Sequence, residues 1–292
     1  MTKTKISRLR SEDHFIYNDF PLVIAVRDPQ PEFEKHSHQF TELLIITKGK
    51  AIHVIDEKEY SVSAGDVFVI KKNKEHEFKN IENLSLINII FIPDRLNMDK
   101  WFIEDLPGFR AIFQLEPEYR DNHRFESRLE IGKAELAFAL NIIDALKLEL
   151  ENSPTGFKAA SISLFIKLLV YLSRCYEKSL KPQSITLLRI ARAINYLDRN
   201  FTADIDFYGL AGIAHMSLRN FQRVFKKSMG CTARDYLMDL RIDFSRTMLK
   251  QGRNSITDIA YASGFKDSNY FTRQFKNKMG ISPSEYRKIL FE

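Results

Sequence analysis

One twenty-residue pattern recurs in this chain. SLRNFQRVFKKSMGCTARDY (217–236) lies over DSNYFTRQFKNKMGISPSEY (267–286) at a constant offset. It pairs Phe221 with Phe271, Arg223 with Arg273, Phe225 with Phe275, Lys226 with Lys276, Met229 with Met279, Gly230 with Gly280 and Tyr236 with Tyr286. One supersecondary unit is therefore used twice, and two copies are too few for a solenoid.

Each copy reads as a short helix, a tight turn and a second helix. In the first, residues 207–215 form a short amphipathic segment and Ser217 is placed to cap the next helix. Leu218, Phe221, Val224 and Phe225 then recur at helical spacing as a buried stripe. Arg219, Gln222, Arg223 and Lys226 fall on a second stripe facing away, and Gly230 sits where a left-handed C-terminal residue is expected. In the second copy residues 255–262 supply the short helix, Gly264 the turn and Asp267 the cap. Phe271, Phe275 and Met279 point inward, while Asn269, Thr272, Arg273 and Lys276 face out. Residues 233–250 read as one connecting helix, about 27 Å long at 1.5 Å per residue.

Outward Arg, Gln, Asn, Thr and Lys suit the major groove, where Arg grips guanine and Gln or Asn grips adenine while Lys neutralises phosphate. An ordinary solvated helix face explains either stripe alone. Two stripes held by a rigid connector of that length are compatible with reading one duplex about 34 Å apart, one helical turn. Charge agrees: residues 185–292 hold 18 basic and 10 acidic groups, against 26 and 28 in the remaining 184. A basic module joined to a mildly acidic one expects a polyanion partner for one half only.

Residues 210–287 resemble the paired helix-turn-helix domain of the AraC/XylS transcription regulators. The resemblance rests on Ser-Ile-x-x-Ile-Ala-x-x-x-Gly-Phe-x-Asp-x-x-Tyr-Phe-x-Arg-x-Phe-Lys (255–276) and Gly280-Ile-Ser-Pro-Ser-Glu-Tyr-Arg287. It implies base contacts from Arg219, Gln222 and Arg223 in the first recognition helix and from Ser268, Asn269, Thr272 and Arg273 in the second. Arg219 and Ser268 occupy positions that vary among members.

The acidic half opens on KHSHQFTELLIITKGK (35–50). His36 and His38 lie two apart, Glu42 four further on and Gly49 after an apolar run, and His76 follows Gly65 by eleven residues. These spacings fit both motifs of the cupin β-barrel, except that Lys71 and Asn73 replace the usual Pro and Gly of the second. Short strands at 43–47, 51–55, 60–63, 67–70 and 86–92, with turns at 48–50, 56–58 and 64–66, give the pattern of a small antiparallel barrel or jelly roll. His36, His38, Glu42 and His76 form a candidate metal set. Imidazoles with one carboxylate suit Zn, Ni, Mn or Fe, and in regulators of this kind such histidines also line a sugar pocket or cap the barrel mouth. His53 joins these four as a polar effector-binding candidate, although a strand histidine is more often satisfied internally than a ligand.

FEKHSHQFTELLIITKGKAIHVID and IENLSLINIIFIPDRL, over roughly residues 20–100, resemble the sensor domain of the L-rhamnose-responsive regulators within the same family. That likeness implies a carbohydrate effector such as rhamnose or another deoxyhexose. Farther on, Leu136, Leu140, Ile143 and Leu146 fall at helical spacing, and FKAASISLFIKLLVYLSRCYEK (157–178) supplies a second apolar helix. A pair this apolar buries more than one face, by packing on the barrel alone or by also forming a two-fold contact between subunits.

The expected fold is thus mixed. A cupin-like effector-sensing barrel (1–130) is followed by two dimerisation-type helices (131–178) and a linker in which Pro182 stops the helix (179–184). An all-α DNA-binding domain with two helix-turn-helix units completes the chain (185–292). The longest nearly unbroken apolar run, Leu84–Ile92, is far below the ~20 residues a spanning helix needs. The N-terminus lacks the apolar core of a signal peptide, and Cys175 and Cys231 suggest no disulfide framework. The chain reads as a cytoplasmic homodimeric activator with an operator, a sugar effector and RNA polymerase as partners, no membrane partner and no required cofactor. The competing reading is a cupin metalloenzyme, a sugar isomerase or dioxygenase, carrying an accessory nucleic-acid-binding domain. No nucleophile–base pair or phosphate-binding glycine loop supports that alternative.

Overall fold

A computed structural model of the protein describes residues 7–9, 20–32, 34–98, 101–117, 129–178, 182–252 and 254–291. The chain divides into two compact units, residues 1–191 and 192–292.

The N-terminal unit is built on eight strands: β1 (Ser7–Leu9), β2 (Leu22–Arg27), β3 (His36–His38), β4 (Thr41–Ile55), β5 (Lys58–Ser63), β6 (Asp66–Ile70), β7 (His76–Phe91) and β8 (Leu129–Glu130). The antiparallel β4–β7 ladder is its spine. The first half of β4 pairs on its other edge with β6 and the second half with β5. Between these halves Leu44, Ile46, Ala51, Ile55, Tyr60, Val62, Phe68, Ile70, Leu84 and Leu86 close into one apolar core. The expected turn at Lys48-Gly49-Lys50 is instead a bulge within a single fifteen-residue strand, with register shifts between Ile46 and Ile52. A Cβ on Gly49 would sit 2.1 Å from the Asn83 carbonyl oxygen of β7. Glycine there permits the kink that bends the ladder without ending it. The expected turn at 56–58 does form: Asp56 and Glu57 take positive φ, as a two-residue hairpin requires.

Short helices α1 (Pro93–Leu96) and α2 (Pro107–Arg110) follow β7, and after β8 come the long α3 (Lys133–Asn152) and α4 (Phe157–Glu177). By length and composition α4 is apolar enough to cross a bilayer. Its Phe165, Leu168, Leu169 and Leu172 are fully buried, however, with the Phe165 ring 5.1 Å from that of Phe91 on β7. The helix is thus a core element of this unit.

Pro182 does not stop a helix; it starts one, α5 (Pro182–Asn200). Proline suits a first helical turn because its missing N–H has no intrahelical partner there. Residues 179–181 of the expected linker lie outside the described residues. The C-terminal unit holds the rest of α5 with α6 (Phe207–Ile213), α7 (Leu218–Met229), α8 (Ala233–Gln251), α9 (Ile256–Ala262), α10 (Ser268–Met279) and α11 (Pro283–Phe291). Ser217 caps α7 and Asp267 caps α10 as the sequence predicts, while Thr232 with Asp235 and Ser255 with Asp258 form capping boxes on α8 and α9.

The repeat survives in three dimensions. Phe221, Phe225 and Tyr236 pack with ring centroids 5.5 and 6.0 Å apart, and Phe271, Phe275 and Tyr286 with 5.7 and 5.5 Å. Gly264 takes φ +83, and a Cβ there would lie 2.7 Å from the Thr202 carbonyl oxygen, so the second turn admits only glycine without rearrangement.

Candidate ligand site and nucleic-acid interface

The histidines of the opening motif are brought together inside the N-terminal unit. β3 ends at His38 and β4 begins at Thr41, and after this break Glu42 faces the same centre as His38. His38, Glu42 and His76 are at most 3% exposed, and one donor atom from each lies within 4.8 Å of the others. The Glu42 Oε2 atom is 3.7 Å from His38 Nε2 and 3.7 Å from His76 Nε2.

Tautomers follow from the neighbours. His38 Nδ1 lies 2.8 Å from the Phe40 carbonyl oxygen. A carbonyl only accepts, so Nδ1 carries the proton and Nε2 of the neutral ring turns a lone pair toward Glu42. His76 Nδ1 is 3.3 Å from His53 Nε2, a cross-strand contact within the β4–β7 ladder. Its other nitrogen, Nε2, has no hydrogen-bond partner among the described residues, and neither has Glu42 Oε2. Burial pushes the Glu42 carboxyl up to about 7 against the opposing pull of Arg27. Burial, reinforced by His53, His36 and His38, holds His76 well below the usual imidazole range.

His36 is placed differently. Its Nδ1 lies 3.0 Å from the Glu34 carbonyl oxygen and its ring packs 4.3 Å from that of His76, but it is not one of the three clustered donors. His53, at 0% exposure, joins the site through His76.

Glu42, His76 and His36 belong to the wall of a cavity of about 180 Å³, which Arg27, Gln30, Asn88 and Ile90 also line. The buried Asn88 Oδ1 has no hydrogen-bond partner among the described residues. Arg27 and Asn88 are absent from the set of residues read from sequence. Asn88 was visible as the lone amide in LSLINIIF (84–91). Arg27 carried no signal, because its place depends on the β2–β7 register, which sets Ala25 opposite Asn88 and Arg27 opposite Leu86.

On the C-terminal unit, Arg219, Gln222, Arg223 and Lys226 of α7 are all exposed, as are Asn269, Arg273 and Lys276 of α10, and Ser268 and Thr272 are half-buried. The inward stripes, Phe221 with Phe225 and Phe271 with Phe275, are fully buried. Each central arginine is held by the residue three positions earlier. Arg223 donates to Asn220 Oδ1 at 2.8 Å, and the Arg273 guanidinium lies 5.5 Å from the Tyr270 ring centroid. The connector α8 has 19 residues, about 28 Å at 1.5 Å per residue.

A cavity with a few buried polar groups in a β-sheet unit, on one chain with two helix-turn-helix copies, defines a ligand-binding transcription regulator. The chain belongs to the AraC family: residues 21–129 match the AraC-like ligand binding domain and residues 210–289 a helix-turn-helix domain. It is 28% identical over 281 residues to the HTH-type transcriptional activator RhaR of Pectobacterium carotovorum, covering 96% of this chain and 95% of that one. It is 29% identical over 281 residues to the HTH-type transcriptional activator RhaS of an Enterobacter species, covering 96% of each. Among solved structures, the DNA-binding domain of AdpA in complex with a target DNA is similar at 25% identity and TM-score 0.34, covering 35% of this chain and 91% of that one. These relatives are regulators, so the enzyme alternative falls.

Proposed function

We propose that this chain is a sequence-specific activator of transcription governed by a carbohydrate of the rhamnose class, seated in the N-terminal cavity. One observation carries the sensor half. Glu42 Oε2, His76 Nε2 and Asn88 Oδ1 are buried polar atoms of one cavity wall without hydrogen-bond partners. Each such orphan costs about 1–3 kcal/mol when desolvated and unmet. Sugar hydroxyls both donate and accept, so a polyol satisfies all three at once. At about 180 Å³ the cavity is below the roughly 300–1,000 Å³ of drug-sized ligand sites, which favours a compact ligand. The likeness of the sensor half to L-rhamnose-responsive regulators narrows the class to deoxyhexoses.

Thermal melting of the full chain with a panel of aldoses and deoxyhexoses tests this. A sugar at one hundred times its Kd stabilises the unit it binds by about 2.7 kcal/mol, and Asn88→Ala should abolish that rise. A panel in which no sugar shifts the transition rules out the carbohydrate reading.

On the output side, the exposed stripes of α7 and α10 contact operator bases and phosphates, and the DNA-bound protein engages RNA polymerase in the cytoplasm. Effector binding shifts the population of states competent for this. A second copy of the chain covers the apolar residue left on α3, where Phe138 and Leu148 are 45% and 58% exposed and the Phe138 ring lies 4.5 Å from that of Tyr171 on α4. Sedimentation equilibrium should show a dimer that Leu148→Glu converts to monomer. A native chain that is already monomeric at micromolar concentration removes the two-fold contact.

A further inference from the structure

We propose that His38, Glu42 and His76 form a divalent-cation site, with His53 as the positioning residue behind it. The argument starts from the direction of electron pairs. The Phe40 carbonyl fixes the His38 proton on Nδ1, so Nε2 faces the centre as a lone pair. Glu42 Oε2 faces the same point, 3.7 Å away. His76 Nε2 faces it from the other side, also at 3.7 Å from Glu42 Oε2. At that separation no hydrogen bond joins any pair. Electron-rich atoms gathered in a buried site repel one another unless a proton or a cation stands between them, and at 3.7 Å a shared proton bridges neither imidazole to Glu42.

A cation fits the gap. Two ligands each about 2.1 Å from one zinc ion lie at most ~4.2 Å apart; both separations from Glu42, at 3.7 Å, fall inside that limit, and all three donors lie within 4.8 Å of one another, so closure on an ion needs at most a small inward shift. Two imidazole nitrogens and one carboxylate suit zinc and its first-row neighbours. The supporting bonds are those a ligating histidine requires, with the far ring nitrogen engaged so that the near one stays bare. For His38 that partner is the Phe40 carbonyl; for His76 it is Nε2 of His53 at 3.3 Å, and a cation on His76 Nε2 sets the direction of that contact by keeping the proton on Nδ1. The opening motif puts His36 among the ligands; the clustered donors are His38, Glu42 and His76 without it, and His53 stands behind His76. The three donors come from β3, β4 and β7, so the cation ties the short β3 to the central ladder. Because Glu42 and His76 are also cavity wall, an ion held by three protein ligands leaves a coordination position open to an effector hydroxyl, so the sugar meets Glu42 and His76 through the ion and Asn88 directly. That last step rests on the effector reading given above; the cation site does not.

The test uses the full chain, purified without a polyhistidine tag, stripped with a chelator and titrated with zinc alone. One zinc per chain is expected, with affinity at least about tenfold weaker in Glu42→Gln and in His76→Gln. His53→Gln should keep the stoichiometry and lose about 10–100-fold in affinity, the range for a lost partner behind a ligand. Failure to bind stoichiometric zinc, or binding that Glu42→Gln leaves unchanged, overturns the proposal. Cobalt(II) added to the unmutated chain gives a reading free of folding defects. Visible absorption of a low-coordinate nitrogen and oxygen site supports the proposal, and a spectrum like that of the aqueous ion overturns it. No sugar is present in these experiments. A chain that ignores zinc yet melts higher with a sugar loses the cation site and keeps its effector reading, and the converse outcome does the reverse.

Discussion

Phe275→Ala is expected to destabilise the second helix-turn-helix copy by about 3–5 kcal/mol, the range for truncating a fully buried phenylalanine. Phe275 is 0% exposed in a cluster with Ile242, Leu249, Ile259, Ala260, Phe265 and Phe271, and its ring meets Tyr286 at 5.5 Å. A domain of this kind has about 5–15 kcal/mol in all, so the loss is a large part of its margin. Phe225→Ala should act in parallel on the first copy, because Phe225 holds the equivalent position between Phe221 and Tyr236. Neither side chain faces outward, yet both variants should bind DNA weakly, since each removes the platform that aims its arginine. Denaturant unfolding followed by signals from both halves separates the effects. The C-terminal transition should move and the barrel transition should stay. Asn277→Ala, exposed on the same helix, should change stability by no more than about 0.5 kcal/mol. A Phe275→Ala loss under 1 kcal/mol would mean that the repeated aromatic triad does not hold the unit together.

How much of this was legible depended on how local each determinant is. The C-terminal helices were readable because their causes lie within a few residues: Ser217 and Asp267 cap, Gly230 and Gly280 stop, and the apolar stripes recur at helical spacing. Helix α5 was not placed, because Pro182 read as a terminator, and only the chain before it decides whether a proline ends one helix or begins another. In the β-sheet unit, alternation located the strands but not their continuity. Gly49 looks like a turn until its partner is known: Asn83, itself at positive φ, accommodates the kink from across the ladder. The same non-locality governs the polar cluster. Motif spacing points to His36, whereas cross-strand pairing brings His53 against His76 and Arg27 toward Glu42. Residues fifteen and twenty-three apart in sequence meet there only because the register is what it is.

Arg273→Ala should weaken binding to the cognate operator by about 1–3 kcal/mol, roughly 5–150-fold, the value of one bidentate base contact. The structure adds a reason to expect an effect of that size. Tyr270 lies beneath its guanidinium, an interaction of about 0.5–1 kcal/mol at an exposed site. The fork is therefore partly oriented before DNA arrives, and less ordering is lost on binding. In the first copy Asn220 does the same for Arg223 through a hydrogen bond, so two chemistries fill one structural role three residues before each arginine. Tyr270→Ala should accordingly reduce affinity by less than Arg273→Ala while leaving the preferred base unchanged. Arg273→Lys separates charge from shape: a lysine keeps the phosphate attraction and loses the planar fork. If the arginine reads a base, Lys and Ala should both flatten the preference at one base pair, and only Ala should change the salt dependence. If it merely neutralises phosphate, Ala should weaken every sequence equally and reduce the log–log salt slope by about 0.9, with Lys nearly silent. Binding isotherms on the operator and on single-base variants, at two salt concentrations, decide between these patterns. Only the first is consistent with α7 and α10 as readers of sequence.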